Sequence, residues 1–304
     1  MSFRVNAGIA AVAVLALAGG AYYWLHGRAN QPPTAIASEP EKAPAPPAPE
    51  TASTPPAGPG TPAKAGADAP APLAPKKDPA AASSGLPLRA GEILDFTADV
   101  AKVSSVATLR LQTVEKRNFQ GKNAWHLQAF AHTQNPLRMV FQLDDQFDSY
   151  SDAANMASLQ YELHLNERGQ KVDSVQRMTT TGHEPASGNA SQTIVVPGTR
   201  DPLGMMQYLR SVDWSKTPQV HGPVYDGHKL YDVRASLAAT SQNVTVPAGD
   251  FTTTKIDIHV FADGAEMKDA RFALYLAADT TRTPVLLEAI LPWTTARVAL
   301  KTRQ

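Results

Sequence analysis

The stretch Gln160-Tyr161-Glu162-Leu163-His164-Leu165-Asn166-Glu167-Arg168-Gly169-Gln170 decides the fold. Tyr161, Leu163 and Leu165 alternate with Glu162, His164 and Asn166, a period of two that gives an extended strand one apolar and one wet face. The segment from Asn166 to Gln170 then supplies the glycine and polar residues that a hairpin turn requires. The same period recurs on both sides. Ala107, Leu109 and Leu111 alternate with Thr108, Arg110 and Gln112, and Trp125, Leu127 and Ala129 alternate with His126 and Gln128. Further on, Ile256, Ile258 and Val260 oppose Lys255, Asp257 and His259, and Phe272, Leu274 and Leu276 oppose Arg271, Ala273 and Tyr275. Asp226-Gly227 and Ala262-Asp263-Gly264 mark further turns. Parallel strands covered on both faces would be apolar throughout, so the alternation predicts a mainly β, antiparallel meander of about ten strands, curved into a half-barrel or a barrel.

One segment breaks the period. Asp201-Pro202-Leu203 opens a run to Arg210 in which Asp201 can cap free amides and Pro202 fits the first helical position. Leu203, Met206 and Leu209, or Met205 and Tyr208, would line an apolar stripe, which predicts one short helix covering the open side of the sheet or gating a cavity.

This β-rich part spans residues 86–304. Ahead of it, residues 31–85 hold most of 16 prolines that lie between Gln31 and Pro87, out of 25 in the whole chain. Such a Pro/Ala-rich segment cannot bury enough apolar surface to offset its ordering entropy, so it reads as a disordered linker; extended, it would reach at most about 170 Å. Residues 1–30 contain the 21-residue run Val5 to Leu25, whose only polar side chain is Asn6. As a helix it would span about 30 Å, a bilayer core. Tyr22, Tyr23 and Trp24 at its far end favour a retained signal anchor over a peptide cleaved after Ala16-Leu17-Ala18. The expected address is a bacterial inner membrane, crossed once, with the C-terminal domain exported to the periplasm.

Composition removes several classes of chemistry. Lys and Arg number 28 against 28 Asp and Glu, without the basic excess that nucleic acid demands, so no nucleic-acid partner is expected. Cysteine is absent, which excludes disulfides, thiolate nucleophiles and iron-sulfur ligation. The eight histidines form no close pair on one strand or helix face, and His126 and His132 lie roughly 20 Å apart along an extended chain, so both read as surface residues and no metal site or cofactor is expected. The acidic run Asp144, Asp145, Asp148 and Asp152 lacks the spacing of a calcium loop. Asp144 and Asp148 belong to one wet face, whereas Asp145 points with Phe147 and can bond to a turn. Asp95, Arg110 and Glu115 read as cross-strand polar pairs. No nucleophile elbow, phosphate loop or dinucleotide fingerprint occurs, so no enzyme is expected and no catalytic residue is assigned.

Several segments resemble an uncharacterised family of bacterial envelope proteins known only as a domain of unknown function. They are Leu88-Arg89-Ala90-Gly91-Glu92-Ile93-Leu94, Asp145 to Asp152, Val196-Pro197-Gly198-Thr199-Arg200-Asp201-Pro202-Leu203, Val224-Tyr225-Asp226-Gly227-His228-Lys229-Leu230-Tyr231, and Val246-Pro247-Ala248-Gly249-Asp250-Phe251. The resemblance implies an exported β-rich protein, similar in architecture to the half-barrels that carry lipoproteins across the periplasm, and it brings no catalytic residues. The sequence departs from the family at Ser104 and Ser105, where glycine is usual, and at Pro292-Trp293-Thr294, where a Phe-Gly pair is usual; both bear on turn geometry.

Together these readings give a noncatalytic binding or carrier module for an amphipathic, lipid-like envelope component, tethered to the inner membrane by its N-terminal helix. Trp125, Leu127, Phe141, Leu143, Met205, Met206, Tyr208 and Leu209 are its candidate ligand-binding surface, each also a candidate for plain core packing. The alternative is a structural or assembly adaptor of the envelope that works through protein contacts, by a strand edge or by the Pro-rich arm.

Overall fold

The computed structural model describes residues 86–181, 190–291 and 294–304; the expectations for the membrane anchor, the linker and Pro292-Trp293 lie outside them. Among the described residues no helix is long and apolar enough to cross a membrane. Among the described residues thirteen strands form one sheet, rather than about ten. The first seven are β1 (Glu92–Val100), β2 (Val103–Phe119), β3 (Lys122–Thr133), β4 (Asp144–Asp152), β5 (Ser158–Glu167), β6 (Gln170–Thr179) and β7 (Ser191–Ile194). After helix α1 (Pro202–Ser211) come β8 (Gln219–Tyr225), β9 (Leu230–Val246), β10 (Gly249–Ala262), β11 (Ala265–Ala277), β12 (Pro284–Leu291) and β13 (Thr294–Arg303).

The order across the sheet is β7-β6-β5-β4-β3-β2-β1-β13-β12-β11-β10-β9-β8. The meander is therefore wound so that the first and last strands pair at its centre, with Phe96 opposite Leu300 and Ala98 opposite Val298. Its two edges, β7 and β8, are neighbours in sequence, joined by the segment that leads into α1. That segment ties the edges together. Val195 N–H donates to the Thr179 carbonyl at the end of β6, while Arg200 donates to Pro223 and accepts from Tyr225 in a single parallel bridge to β8. Side chains complete the seam: Gln176 of β6 donates to the Gly227 carbonyl at 2.5 Å, and Leu163 packs where a Cβ on Gly227 would stand, a position whose φ of +99° also favours glycine.

Alternation places the core as the sequence predicts. Leu94, Phe96, Ala98 and Val100 on β1, Leu109 and Leu111 on β2, Leu127 and Ala129 on β3, and Tyr161 and Leu163 on β5 are all buried in one continuous cluster with Ile256, Leu274, Leu287 and Leu300. The predicted cross-strand polar pair forms, Arg110 to Asp95 at 2.7 Å. Ser105, at a position where the family prefers glycine, adopts a φ of +54° and is held by its N–H to the Asp99 carboxylate at 2.7 Å.

Two expectations about faces are corrected. Ala273 and Tyr275, read as wet-face residues of β11, are buried, because the outer face there is itself apolar: Leu286 and Ala299 on the next strands are buried as well. The Asp148 and His126 side chains, read as solvated, are largely buried and bond at 2.7 Å. Burial pushes Asp148 up, but hydrogen bonds from His126, Gln146 and Gln128 outweigh it and hold the carboxyl below its ordinary value. His126 also stacks on Tyr150, which stacks on Phe119. Asp144 keeps the predicted wet face and is gripped by Arg138 at 2.7 Å.

Candidate functional site beneath the helix

Helix α1 begins where the sequence places it. Asp201 is the N-cap, accepting from Gly204 N–H at 2.8 Å, and Pro202 occupies the first turn. The predicted one-sided stripe is wrong, however: Pro202 through Gln207 and Leu209 through Ser211 are all buried, so the helix is enclosed on every side. A helix carrying Gln207 and Arg210 can be enclosed only if the surroundings satisfy those groups. They do so at both ends.

At the N-terminus, the fully buried Asp201 carboxylate accepts from Ser149 of β4 at 2.6 Å and from Ser158 of β5. Burial pushes Asp201 up, and the Ser149, Ser158, Gly204 and Leu203 donors offset part of the rise. The neighbouring Tyr161 phenol is pushed up by burial, with the Asp201 and Asp226 carboxylates adding to it. Gly204 has no room to spare: a Cβ there would stand 2.9 Å from the Met156 carbonyl and from Ser151 Oγ. At the C-terminus, Arg210, with no exposed surface, makes a two-pronged ion pair to Glu92 of β1 at 2.6 and 2.8 Å and donates to the Thr281 carbonyl at 3.0 Å. Arg282 caps the last carbonyls, Ser211 and Val212. The β4–β5 turn, the start of β1 and the β11–β12 connection lie at one end of the strands, so α1 lies across that end as a plug pinned on both sides.

Beneath the plug the packing is apolar. Met205, Met206 and Leu209 project from α1, and Trp125 and Leu127 face the same interior from β3, against which α1 packs. The indole Nε1–H of Trp125 is buried and has no acceptor. Leaving such a donor unmade costs about 1–3 kcal/mol. The Lys116 ammonium lies 5.7 Å from the Trp125 ring. Tyr208 is partly buried, with the Arg200 guanidinium 3.7 Å over its ring.

Six of the eight predicted residues, Trp125, Leu127, Met205, Met206, Tyr208 and Leu209, lie on α1 or on the half of β3 at the helix end. Phe141 and Leu143 are also buried but belong to the opposite end, roughly 25 Å away along β3. Sequence reasoning missed Glu92, Ser149, Ser158 and Arg210, which hold the helix. The available signal was the bulky charged residue inside an otherwise apolar helix, but its partner lies 118 positions away. It did not foresee how far burial would shift the carboxyls of the opposite end. Asp145, which does point inward with Phe147, is pushed up to about 7 by burial against the pull of the Asn166 N–H, with Glu167 adding repulsion. Glu167 is itself raised by burial.

A family model described as "Protein of unknown function (DUF3108)" matches residues 95–301. No curated protein matches the chain. Among solved structures, the chain is similar to a beta-barrel-like protein of domain of unknown function DUF1849 from Brucella abortus, at 11% identity and a TM-score of 0.44, over 71% of this chain and 97% of that one. It is also similar to a candidate lipoprotein from Parabacteroides distasonis, at 11% identity and a TM-score of 0.35, over 71% and 96% of the two chains. A hypothetical protein, CT021, from Chlamydia trachomatis matches at 6% identity and a TM-score of 0.35, over 71% and 87%.

Proposed function

From the premise that the chain belongs to the DUF3108 family of proteins of unknown function, we propose that it is a noncatalytic carrier or binding module for an amphipathic, lipid-like component of the cell envelope, exported to the periplasm and tethered to the inner membrane through residues 1–30. The observation that carries this reading is the buried Trp125 Nε1–H, a donor without an acceptor in an apolar interior beneath the plug. An acyl chain would lie against Leu127, Met206 and Leu209, and an ester or headgroup oxygen would accept from the indole. Methionine suits such a lining, because its unbranched thioether adapts to chains of different shape. Displacement of α1 about its two pins would give access.

The adaptor reading keeps one observation in its favour. Beyond Leu237, whose N–H still donates to Pro218, β9 runs on to Val246 paired, among the described residues, only with β10, and this edge carries no charged residue from Ala238 to Val246.

Native mass spectrometry of residues 86–304 purified gently from an exporting bacterial host, with solvent extraction of bound material, tests the carrier reading. A reproducible lipid-like adduct that Met206→Gln with Leu209→Gln abolishes, and that Trp125→Phe weakens, is the expected result. A bare monomer in repeated preparations would sink it and direct attention to the β9 edge.

A further inference from the structure

The end of the sheet opposite α1 carries a second surface, and its character does not depend on what the interior holds. Isolated exposed aliphatics are normal on any protein, so the informative property is clustering. Among the described residues, six of the eight exposed large hydrophobics lie at this one end: Val103, Met139, Val140, Val172, Leu230 and Ile290. Backbone and side-chain links show that the turns of this end are neighbours in pairs. Ala101 of the β1–β2 turn donates to Thr295 at the start of β13, and Arg168 of the β5–β6 turn donates to Gln142 in the β3–β4 connection. Lys229 of the β8–β9 turn pairs with Asp263 of the β10–β11 turn at 2.7 Å.

The β3–β4 connection shows how the chain builds this rim. Leu137 and Phe141 turn inward and are buried, while Met139 between them is 81% exposed and Val140 60%. Burying four apolar residues of one short connection would have been simple; two are presented to the outside instead. Cations stand among the aliphatics: Lys102, Arg168, Lys171 and Lys268 are exposed at the same end. Of the rim's carboxylates, Asp144 pairs with Arg138, Asp263 with Lys229 and Glu266 with His259, and Asp99 accepts from the Ser105 N–H, whereas Lys102 and Lys171 form no ion pair among the described residues. Aliphatic tips interleaved with free ammonium groups are complementary to one surface above others, the interface of an anionic bilayer, where the tips enter the acyl boundary and the lysines meet phosphates.

We infer that this rim, opposite the helix, is a docking surface for anionic phospholipid bilayers. Glu92 opens β1 beside α1's C-terminus, so the described domain starts at the helix end and the rim lies at the other.

The chain contains no cysteine, which allows single labelling sites. The experiment uses the full chain in phosphatidylcholine vesicles with or without phosphatidylglycerol, carrying a bimane on Met139→Cys or, as a control, on Gln120→Cys in the β2–β3 turn at the helix end. Quenching by acyl-chain nitroxide lipids reports insertion. The expected result is strong quenching at position 139 that requires phosphatidylglycerol, with position 120 in water on every vesicle. Lys102→Ser and Lys171→Ser should each weaken the docked state about fivefold, together about 30-fold. Equal quenching at the two positions, quenching indifferent to phosphatidylglycerol, or position 139 remaining in water would overturn the inference, the last pointing to a protein partner instead.

Discussion

The two ends of the sheet solve opposite problems. At the helix end, charged and polar groups are taken inside and matched: Arg210 to Glu92, Asp201 to Ser149 and Ser158. At the opposite end, carboxyls are taken inside without a cation to match them, as Asp145 shows, while apolar side chains such as Met139 are left outside. The comparison teaches that the first end satisfies its buried charges from within the fold, whereas the second buries a carboxyl at the cost of its ionisation.

The sharpest way to break the comparison is to remove one partner of the buried pair. Arg210→Met leaves Glu92 buried and uncompensated and should cost about 3–5 kcal/mol in urea unfolding, whereas Arg210→Met with Glu92→Leu should recover most of that loss. If the single and double variants are equally unstable, the pair is not what pins the helix. Gly204→Ala should come next: the added methyl meets the Met156 carbonyl at 2.9 Å, and overpacking of this kind costs about 1–3 kcal/mol, against a smaller gain in helix propensity.

A smaller effect, visible as a slope, belongs to Asp145. Its folded pKa of about 7 lies above the unfolded value of about 3.9, so the native state binds the extra proton, and the carboxyl's contribution to stability is fully present below about pH 4 and is lost as pH rises towards 7. Asp145→Asn keeps an acceptor for the Asn166 N–H and should flatten that decline; an unchanged profile would place the titration elsewhere. The smallest effect on stability is expected at the rim, where Met139→Ser with Val140→Ser should change unfolding by less than about 0.5 kcal/mol while reducing docking to phosphatidylglycerol vesicles.

Much of this was legible because it depends on neighbours in sequence. The strand faces of Tyr161 and Leu163, the cap at Asp201 and the inward direction of Asp145 all follow from local period or local chemistry. Other features were not legible for a definite reason. Ala273 and Tyr275 alternate as a wet face would, yet the adjoining strands supply Leu286 and Ala299 on that side, and no local pattern announces which strands adjoin. The candidate residues divided for the same reason: Phe141 and Leu143 share the apolar character of Trp125 and Leu127, but β3 carries the two pairs to different ends. The Trp125 donor could be named from sequence, while its lack of an acceptor is a property of the folded interior.

By itself, the amino-acid sequence determined the strand alternation, the turns, helix α1 and its first cap, because side-chain direction repeats every two residues in a strand and capping is a contact between residues three apart. Only the tertiary structure decided that β1 and β13 meet at the centre, that β7 and β8 meet at a seam through Arg200, and that a helix with Arg210 in it is enclosed rather than half exposed. Those outcomes rest on pairings across most of the chain's length, and the energy of burying a charge is set by a partner that local sequence does not contain.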